Sequence, residues 1–158
     1  MKRGTTFFLK TTVFLIGIMI LLLSAFFLPW LASYTASMYP EFAYLQYPVL
    51  IGMYVTAIPF FFALYQALKL LNYIDHGKAF TDQSLEALNS IKYCAILISG
   101  LYVIGTIFLI SQSSLHPSVA IIGFIIIFTS VVIAVFAAVL QKLFKNALVI
   151  KSENDLTV

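Results

Sequence analysis

The chain has 158 residues, of which 62% are hydrophobic and 9% are charged, and its mean hydropathy is +1.04. Soluble domains usually carry about 25% charged residues, so this composition excludes an ordinary soluble domain, which would expose large apolar patches. The length predicts one domain, residues 1–158, with lipid as its solvent; we interpret the formal net charge of +3 as a sign of membrane topology and not of nucleic-acid binding.

Four apolar runs have the length of a membrane-spanning helix, which needs roughly 20 residues. They are residues 11–32, 49–71, 93–110 and 119–140. Apart from Lys69 near one end, these runs contain no charged side chain, which argues against a proton relay, a voltage sensor or a coupled ion pump. The first run follows basic residues as in a signal peptide, but it is longer than the usual apolar region of one and lacks a clean cleavage site. We therefore interpret it as an uncleaved span.

The basic residues predict the orientation of these spans. They are Lys2, Arg3, Lys10, Lys69, Lys78, Lys92, Lys142, Lys145 and Lys151. After four crossings all of them lie on one side of the membrane, whereas residues 33–48 and 111–118 contain no Lys or Arg. The positive-inside rule assigns that side to the cytoplasm. We predict an all-α membrane protein, an antiparallel four-helix bundle of the bacterial plasma membrane, with both termini in the cytoplasm.

Two features inside the spans concern helix packing. Pro59 should kink the second span, and the kink would serve either packing or, as in transporters, a binding site. Ser130, Ala134 and Ala138 recur every fourth residue in the fourth span. Such a stripe of small residues favours close helix approach, either inside the bundle or in a homo-oligomer.

Aromatic residues concentrate around the first predicted external loop. They are Trp30, Tyr34, Tyr39, Phe42, Tyr44 and Tyr47. We interpret them as a belt at the membrane interface, with ligand binding as the alternative.

Residue types suited to catalysis or metal binding are sparse. The predicted topology separates His76 from His116, and Cys94 is the single cysteine, either a buried thiol or an acylation site. Motifs for a metalloprotease or a phosphate loop do not occur in the sequence. We therefore expect no enzymatic activity, no metal and no cofactor.

The connection between the second and third spans gathers much of the charge. In "NYIDHGKAFTDQSLEALNSIKY", residues 72–93, Gly77 is suited to end one helix and Thr81 to begin the next as its N-cap. Asp82 then complements the positive end of the new helix, and Phe80 and Leu85 have the spacing of a hydrophobic staple. We predict a short cytoplasmic helix that runs into the third span.

The tail, residues 141–158, is amphipathic. Apolar residues from Leu140 to Leu148 lie on one helical face, which predicts that the fourth helix extends about two turns beyond the membrane. This face would lie on the bilayer or pack on the helix of residues 79–91.

The segments "GKAFTDQSLEALNSIKY" and "LFKNALVIKSENDLTV" resemble a bacterial family of small four-span membrane proteins, called domain of unknown function 2975. The resemblance covers nearly the whole chain. It implies a partnership with a small helix-turn-helix regulator and supplies no catalytic residues.

We predict that the cytoplasmic face docks a soluble protein, such as that regulator, without direct nucleic-acid binding. The alternative is a small transport, export or immunity-type membrane protein. The candidate docking residues are Lys78, Phe80, Asp82, Glu86, Phe144, Lys145, Glu153, Asp155, Leu156 and Val158.

Overall fold

The chain folds into helices over the residues that its computed structural model describes, 3–113 and 117–156. The α-helices are α1 (Arg3–Leu22), α2 (Leu28–Met38), α3 (Gln46–Asp75), α4 (Asp82–Ser111) and α5 (Pro117–Leu156). A π-helical segment, Leu23–Phe27, joins α1 to α2, and a 3₁₀-helix, Pro40–Leu45, leads into α3. Four of these helical stretches are long and apolar enough to cross a membrane, and the described residues contain no β-strand. The predicted all-α, four-span fold class is confirmed.

The first span changes its helical geometry next to Pro29. The Leu28 N–H donates to the Leu23 carbonyl, five residues back, as in a π-helix. At the same spacing Pro29 would donate to the Ser24 carbonyl, but proline has no N–H. The Tyr54 hydroxyl donates to that Ser24 carbonyl at 2.7 Å instead. Because lipid offers no hydrogen-bond partners, this contact both satisfies the carbonyl and joins the first span to α3.

Pro59 does not divide the second span into two helices. It is buried inside α3, which continues as one helix from Gln46 to Asp75. The interruption of regular α-helix within the described spans is therefore at Leu23–Phe27, where the sequence analysis did not expect one.

The four spans pack as a row in chain order. The α3 helix packs against α1 and α2 on one side and against α4 on the other, and α5 packs along α4. Extensive contacts of α5 with α1 or α3 are absent among the described residues, so the row does not close. Large apolar side chains along α1 and α5 are consequently exposed, as lipid-facing surfaces of a membrane protein are.

Small residues bring α4 and α5 together at intervals of seven. A Cβ added at Gly123 would lie 3.7 Å from the Thr106 hydroxyl oxygen, in ordinary contact. Ser130 is 8% exposed and Ala137 is 4% exposed. The predicted stripe shares Ser130 with this interface, but Ala134 is half-buried and Ala138 is exposed. A spacing of seven keeps contact along two long neighbouring helices, whereas a spacing of four drifts around the helix.

The two ends of the row differ in chemistry. One end, which we call the basic end, comprises the start of α1, the connection of residues 76–81 and α5 beyond Leu140. The other end carries the aromatic residues of α2 and of the 3₁₀-helix, and the Trp30 and Tyr34 rings of α2 stack with centroids 5.4 Å apart. The Tyr44 hydroxyl donates to the Gln112 side-chain oxygen at 2.8 Å, which joins the 3₁₀-helix to the end of α4. Exposed rings in this position suit a membrane–water interface.

Candidate docking surface at the basic end

The connection from α3 to α4 begins with a tight C-terminal cap. Gly77 has φ +73°, the left-handed conformation that glycine adopts most easily. The Lys78 N–H donates to the Tyr73 carbonyl at 2.7 Å, and the Gly77 N–H donates to the Ile74 carbonyl at 3.2 Å. This pair of hydrogen bonds is a Schellman motif, which confirms the predicted role of Gly77.

Hydroxyl groups then fix the start of α4. Thr81 is extended (φ −129°, ψ 166°), and its side-chain oxygen accepts from the Ser84 N–H at 3.5 Å, which confirms the predicted N-cap. The Thr81 and Ser84 hydroxyls each donate to the Lys78 carbonyl at 2.8 Å, and Ser84 is fully buried. Phe80 and Asp82 are therefore presented from a turn with defined hydrogen bonds. The helix that begins here is continuous with the third span.

An ion pair joins the start of α1 to the end of α3. The Lys10 Nζ lies 2.8 Å from the Asp75 Oδ2, and both side chains are largely shielded from solvent. The Lys10 ammonium, together with the buried Thr6 side chain, holds the pKa of the Asp75 carboxyl below its ordinary value. The Asp75 carboxylate at the basic end is therefore engaged in an internal contact.

The α5 helix extends much farther than the sequence analysis expects. It continues to Leu156, 16 residues beyond Leu140 and so about 24 Å at 1.5 Å per residue, instead of about two turns. The Phe80 and Phe144 rings meet edge to face with centroids 5.1 Å apart. Within the predicted apolar face of the tail, Phe144 therefore packs on the start of α4, whereas Leu140 and Leu143 are exposed.

A polar chain of contacts extends this packing toward the membrane. The Gln141 side-chain amide donates to the Asn89 side-chain oxygen at 3.3 Å, and the Lys92 Nζ donates to the Gln141 oxygen at 3.1 Å. The start of α4 and the extension of α5 are thus joined by aromatic and hydrogen-bonded contacts.

Beside these contacts, the start of α4 and the extension of α5 border an open groove of about 700 Å³. Its lining residues are Phe80, Thr81, Asp82, Gln83, Glu86, Leu148, Lys151 and Ser152. The α4 wall carries the carboxylates of Asp82 and Glu86, and the α5 wall carries Lys151. Phe80 remains 45% exposed despite its contact with Phe144, so an apolar ring lies between charged groups. We call this site the docking groove.

The docking groove brings together part of the predicted set. Phe80, Asp82 and Glu86 line it, and Phe144 supports it through the contact with the Phe80 ring. These four residues come from segments that are about 60 positions apart in sequence. Their proximity depends on the packing of α5 against α4.

The other predicted residues fall outside the groove lining. Lys78, Lys145 and Glu153 are exposed, and the Lys78 backbone serves the turn. Asp155 and Leu156 belong to the last turn of α5, with side chains outside the described part of the structure, and Val158 lies outside the described residues.

The sequence analysis placed Leu148 on the apolar face of the tail, but it did not include Leu148, Lys151 or Ser152 among the docking residues. Leu148 and Lys151 follow Phe144 by four and seven residues, a spacing that places all three on one face of a helix. Extending the helical period from Phe144 through the acidic end of the tail would have found this wall.

Groups suited to metal binding do not assemble here. No set of three or more His, Cys, Asp or Glu side chains that could hold a metal ion occurs in residues 3–113 and 117–156. The His76 Nδ1 lies 2.8 Å from the Asn72 carbonyl, and His116 lies outside the described residues. Cys94 is free and buried, as expected of a plain buried thiol.

Comparison with known proteins agrees with this architecture. The sequence model of a family described as "Protein of unknown function (DUF2975)" matches residues 30–158. The chain is also 56% identical, over 160 residues covering 100% of both chains, to an "Uncharacterized membrane protein YoaS" of Bacillus subtilis (strain 168). No solved structure matches the chain. These similarities confirm the resemblance noted in the sequence and agree with the four apolar helices of a multi-pass membrane protein.

Proposed function

The chain belongs to the DUF2975 family of proteins of unknown function, and from that premise we propose that it is a membrane-bound docking partner for a cytoplasmic protein. The observation that carries the proposal is the docking groove. An exposed Phe80 ring lies there between acidic and basic side chains, on a turn with defined hydrogen bonds. A loop that had only to connect two antiparallel spans could be shorter and would need no such surface.

The chemistry of the groove indicates what kind of partner it suits. Aromatic anchors supply much of the binding energy in protein interfaces, and surrounding charges direct encounter and orientation. Asp82 and Glu86 favour a partner that presents basic residues beside an apolar side chain. A small helix-turn-helix regulator, the partner that the family resemblance implies, is basic by the nature of DNA binding. Docking would hold such a regulator at the membrane.

The proposal requires the basic end to face the cytoplasm. We expect reporters of topology fused after residues 40 and 115 to report an external location, because the segments around them lack Lys and Arg. Fusions after residue 79 and at the C-terminus should report an internal location. Activity of an externally folding reporter at the C-terminus would contradict both the orientation and the proposed function.

Charge reversal in the groove tests docking directly. We expect the double variant Asp82→Lys, Glu86→Lys to insert normally and to lose the cytoplasmic proteins that the intact chain retains in mild detergent. For one such protein, purified alone, the Kd should rise about tenfold or more, because two attractive contacts become repulsive. Truncation after residue 150, which removes Lys151 and Ser152 from the other wall, should weaken the same binding.

Glu153→Lys is the matched control, since Glu153 is exposed in the α5 extension and does not line the groove. It should bind like the intact chain. If all three variants retain the same proteins with the same affinity, the docking groove is only a solvated border and the proposed function is wrong.

A further inference from the structure

A second groove lies between α4 and α5 at the level of the membrane spans. It has a volume of about 340 Å³ and an apolar surface. Its lining residues are Lys92, Ile96, Ser99, Val131, Ala134, Val135 and Ala138. This size is at the lower end of the roughly 300–1,000 Å³ that ligand sites usually have. We call it the span groove, and it shares no lining residue with the docking groove.

The span groove is open toward the bilayer. Small side chains on facing helices, Ser99 on α4 and Ala134 and Ala138 on α5, leave a depression between larger apolar neighbours. Ile96 and Val135 at its rim are exposed, and no other helix covers α5 extensively within the described residues. At this depth the surrounding solvent is hydrocarbon, so lipid chains are the molecules that meet the groove.

Positive charge lies at the end of the span groove nearest the basic end. Lys92 immediately precedes the third span, and its Nζ contacts the Gln141 amide and the Tyr93 ring, 5.0 Å from the ring centroid. Gln141 and Tyr93 carry no negative charge, and within the described residues no acidic side chain pairs with Lys92. The positive charge of the Lys92 ammonium is therefore not balanced by the protein. Lys142 follows Ala138 by four residues, so helical spacing places a second ammonium at the same end.

From this combination we propose that the span groove binds an anionic phospholipid of the surrounding bilayer. One acyl chain lies against Ser99 and Ala138, and the phosphate lies at Lys92 and Lys142. Charge decides the lipid class, because lysine ammonium groups near the membrane surface attract an anionic headgroup. The two lysines adjoin the ends of predicted spans, at the depth where headgroups lie. The proposal is independent of the docking partner.

Native mass spectrometry of the intact protein in mild detergent tests this proposal. We expect one molecule of phosphatidylglycerol to bind more tightly than phosphatidylcholine with identical acyl chains. Lys92→Gln should weaken phosphatidylglycerol binding about fivefold and leave phosphatidylcholine unaffected, because it removes charge and keeps the groove. Ala138→Leu should weaken binding of both lipids, because its side chain fills the depression.

Matched controls separate these effects from general changes. Lys69→Gln removes a lysine on α3 that contacts Tyr65, outside the groove, and Val139→Leu enlarges an exposed neighbour of Ala138. Both should bind phosphatidylglycerol like the intact chain. Equal binding of the two lipids, or unchanged binding in Lys92→Gln, overturns the proposal. So does a dimer that dissociates in Ala138→Leu without a change in lipid binding, since a second copy would then occupy the groove.

Discussion

Replacing Leu88 by Ala is expected to lower the free energy of unfolding by about 2–5 kcal/mol, the cost of deleting buried methyl groups and leaving a cavity. Leu88 is 2% exposed and lies on the second turn of α4, where that helix is packed between α3 and α5. It precedes the third span by several residues, so its burial removes it from water and not from lipid. The same turns carry the α4 wall of the docking groove.

Unfolding by sodium dodecyl sulfate in mixed micelles, followed by circular dichroism, measures this loss. Leu97→Ala is the control, because Leu97 lies on the same helix but is 52% exposed in the span, where it meets lipid. Its substitution should change stability by much less. Equal stability of both variants would mean that the start of α4 is not held by this packing.

Replacing Ala137 by Leu is expected to cost about 1–3 kcal/mol, because extra methylene groups in a close-packed interface force backbone or rotamer shifts. Ala137 is 4% exposed and belongs to the series Gly123, Ser130, Ala137 along which α5 approaches α4. A leucine there must push the helices apart. The separation should propagate to the Phe80–Phe144 contact, which follows Ala137 by seven residues along α5.

The same substitution one residue later is the control. Ala138 is exposed, so Ala138→Leu in detergent free of added phospholipid should unfold like the intact chain. Cross-linking between cysteines placed at positions 80 and 144 provides a second readout, because it should slow in Ala137→Leu and stay unchanged in Ala138→Leu. If the two variants behave alike, the seven-residue interface does not describe how α5 packs.

Both grooves depend on the α4–α5 pair. The docking groove lies between the first turns of α4 and the extension of α5. The span groove lies between the same two helices, farther from the basic end. The first span joins the row through α3, by the Tyr54 hydroxyl and by the Lys10–Asp75 ion pair.

The sequence by itself determined the features that depend on composition and on near neighbours. Long apolar runs require four spans, because about 20 residues cross the hydrocarbon core. Gly77 and Thr81 specified the end of α3 and the start of α4, because capping hydrogen bonds join residues only a few positions apart. Family membership also followed from sequence segments, "GKAFTDQSLEALNSIKY" and "LFKNALVIKSENDLTV".

The tertiary structure alone decided which helix faces meet. Apolar residues surround each span on all sides, and lipid is as apolar as leucine, so hydrophobicity does not distinguish a packed face from a lipid-facing one. The open row, the interface at Gly123, Ser130 and Ala137, and the use of Tyr54 for the carbonyl beside Pro29 all depend on contacts between distant segments. The docking groove depends on tertiary structure for the same reason. Helical spacing places Phe144, Leu148 and Lys151 on one face of α5, but only the packing of α5 against α4 brings that face to Phe80.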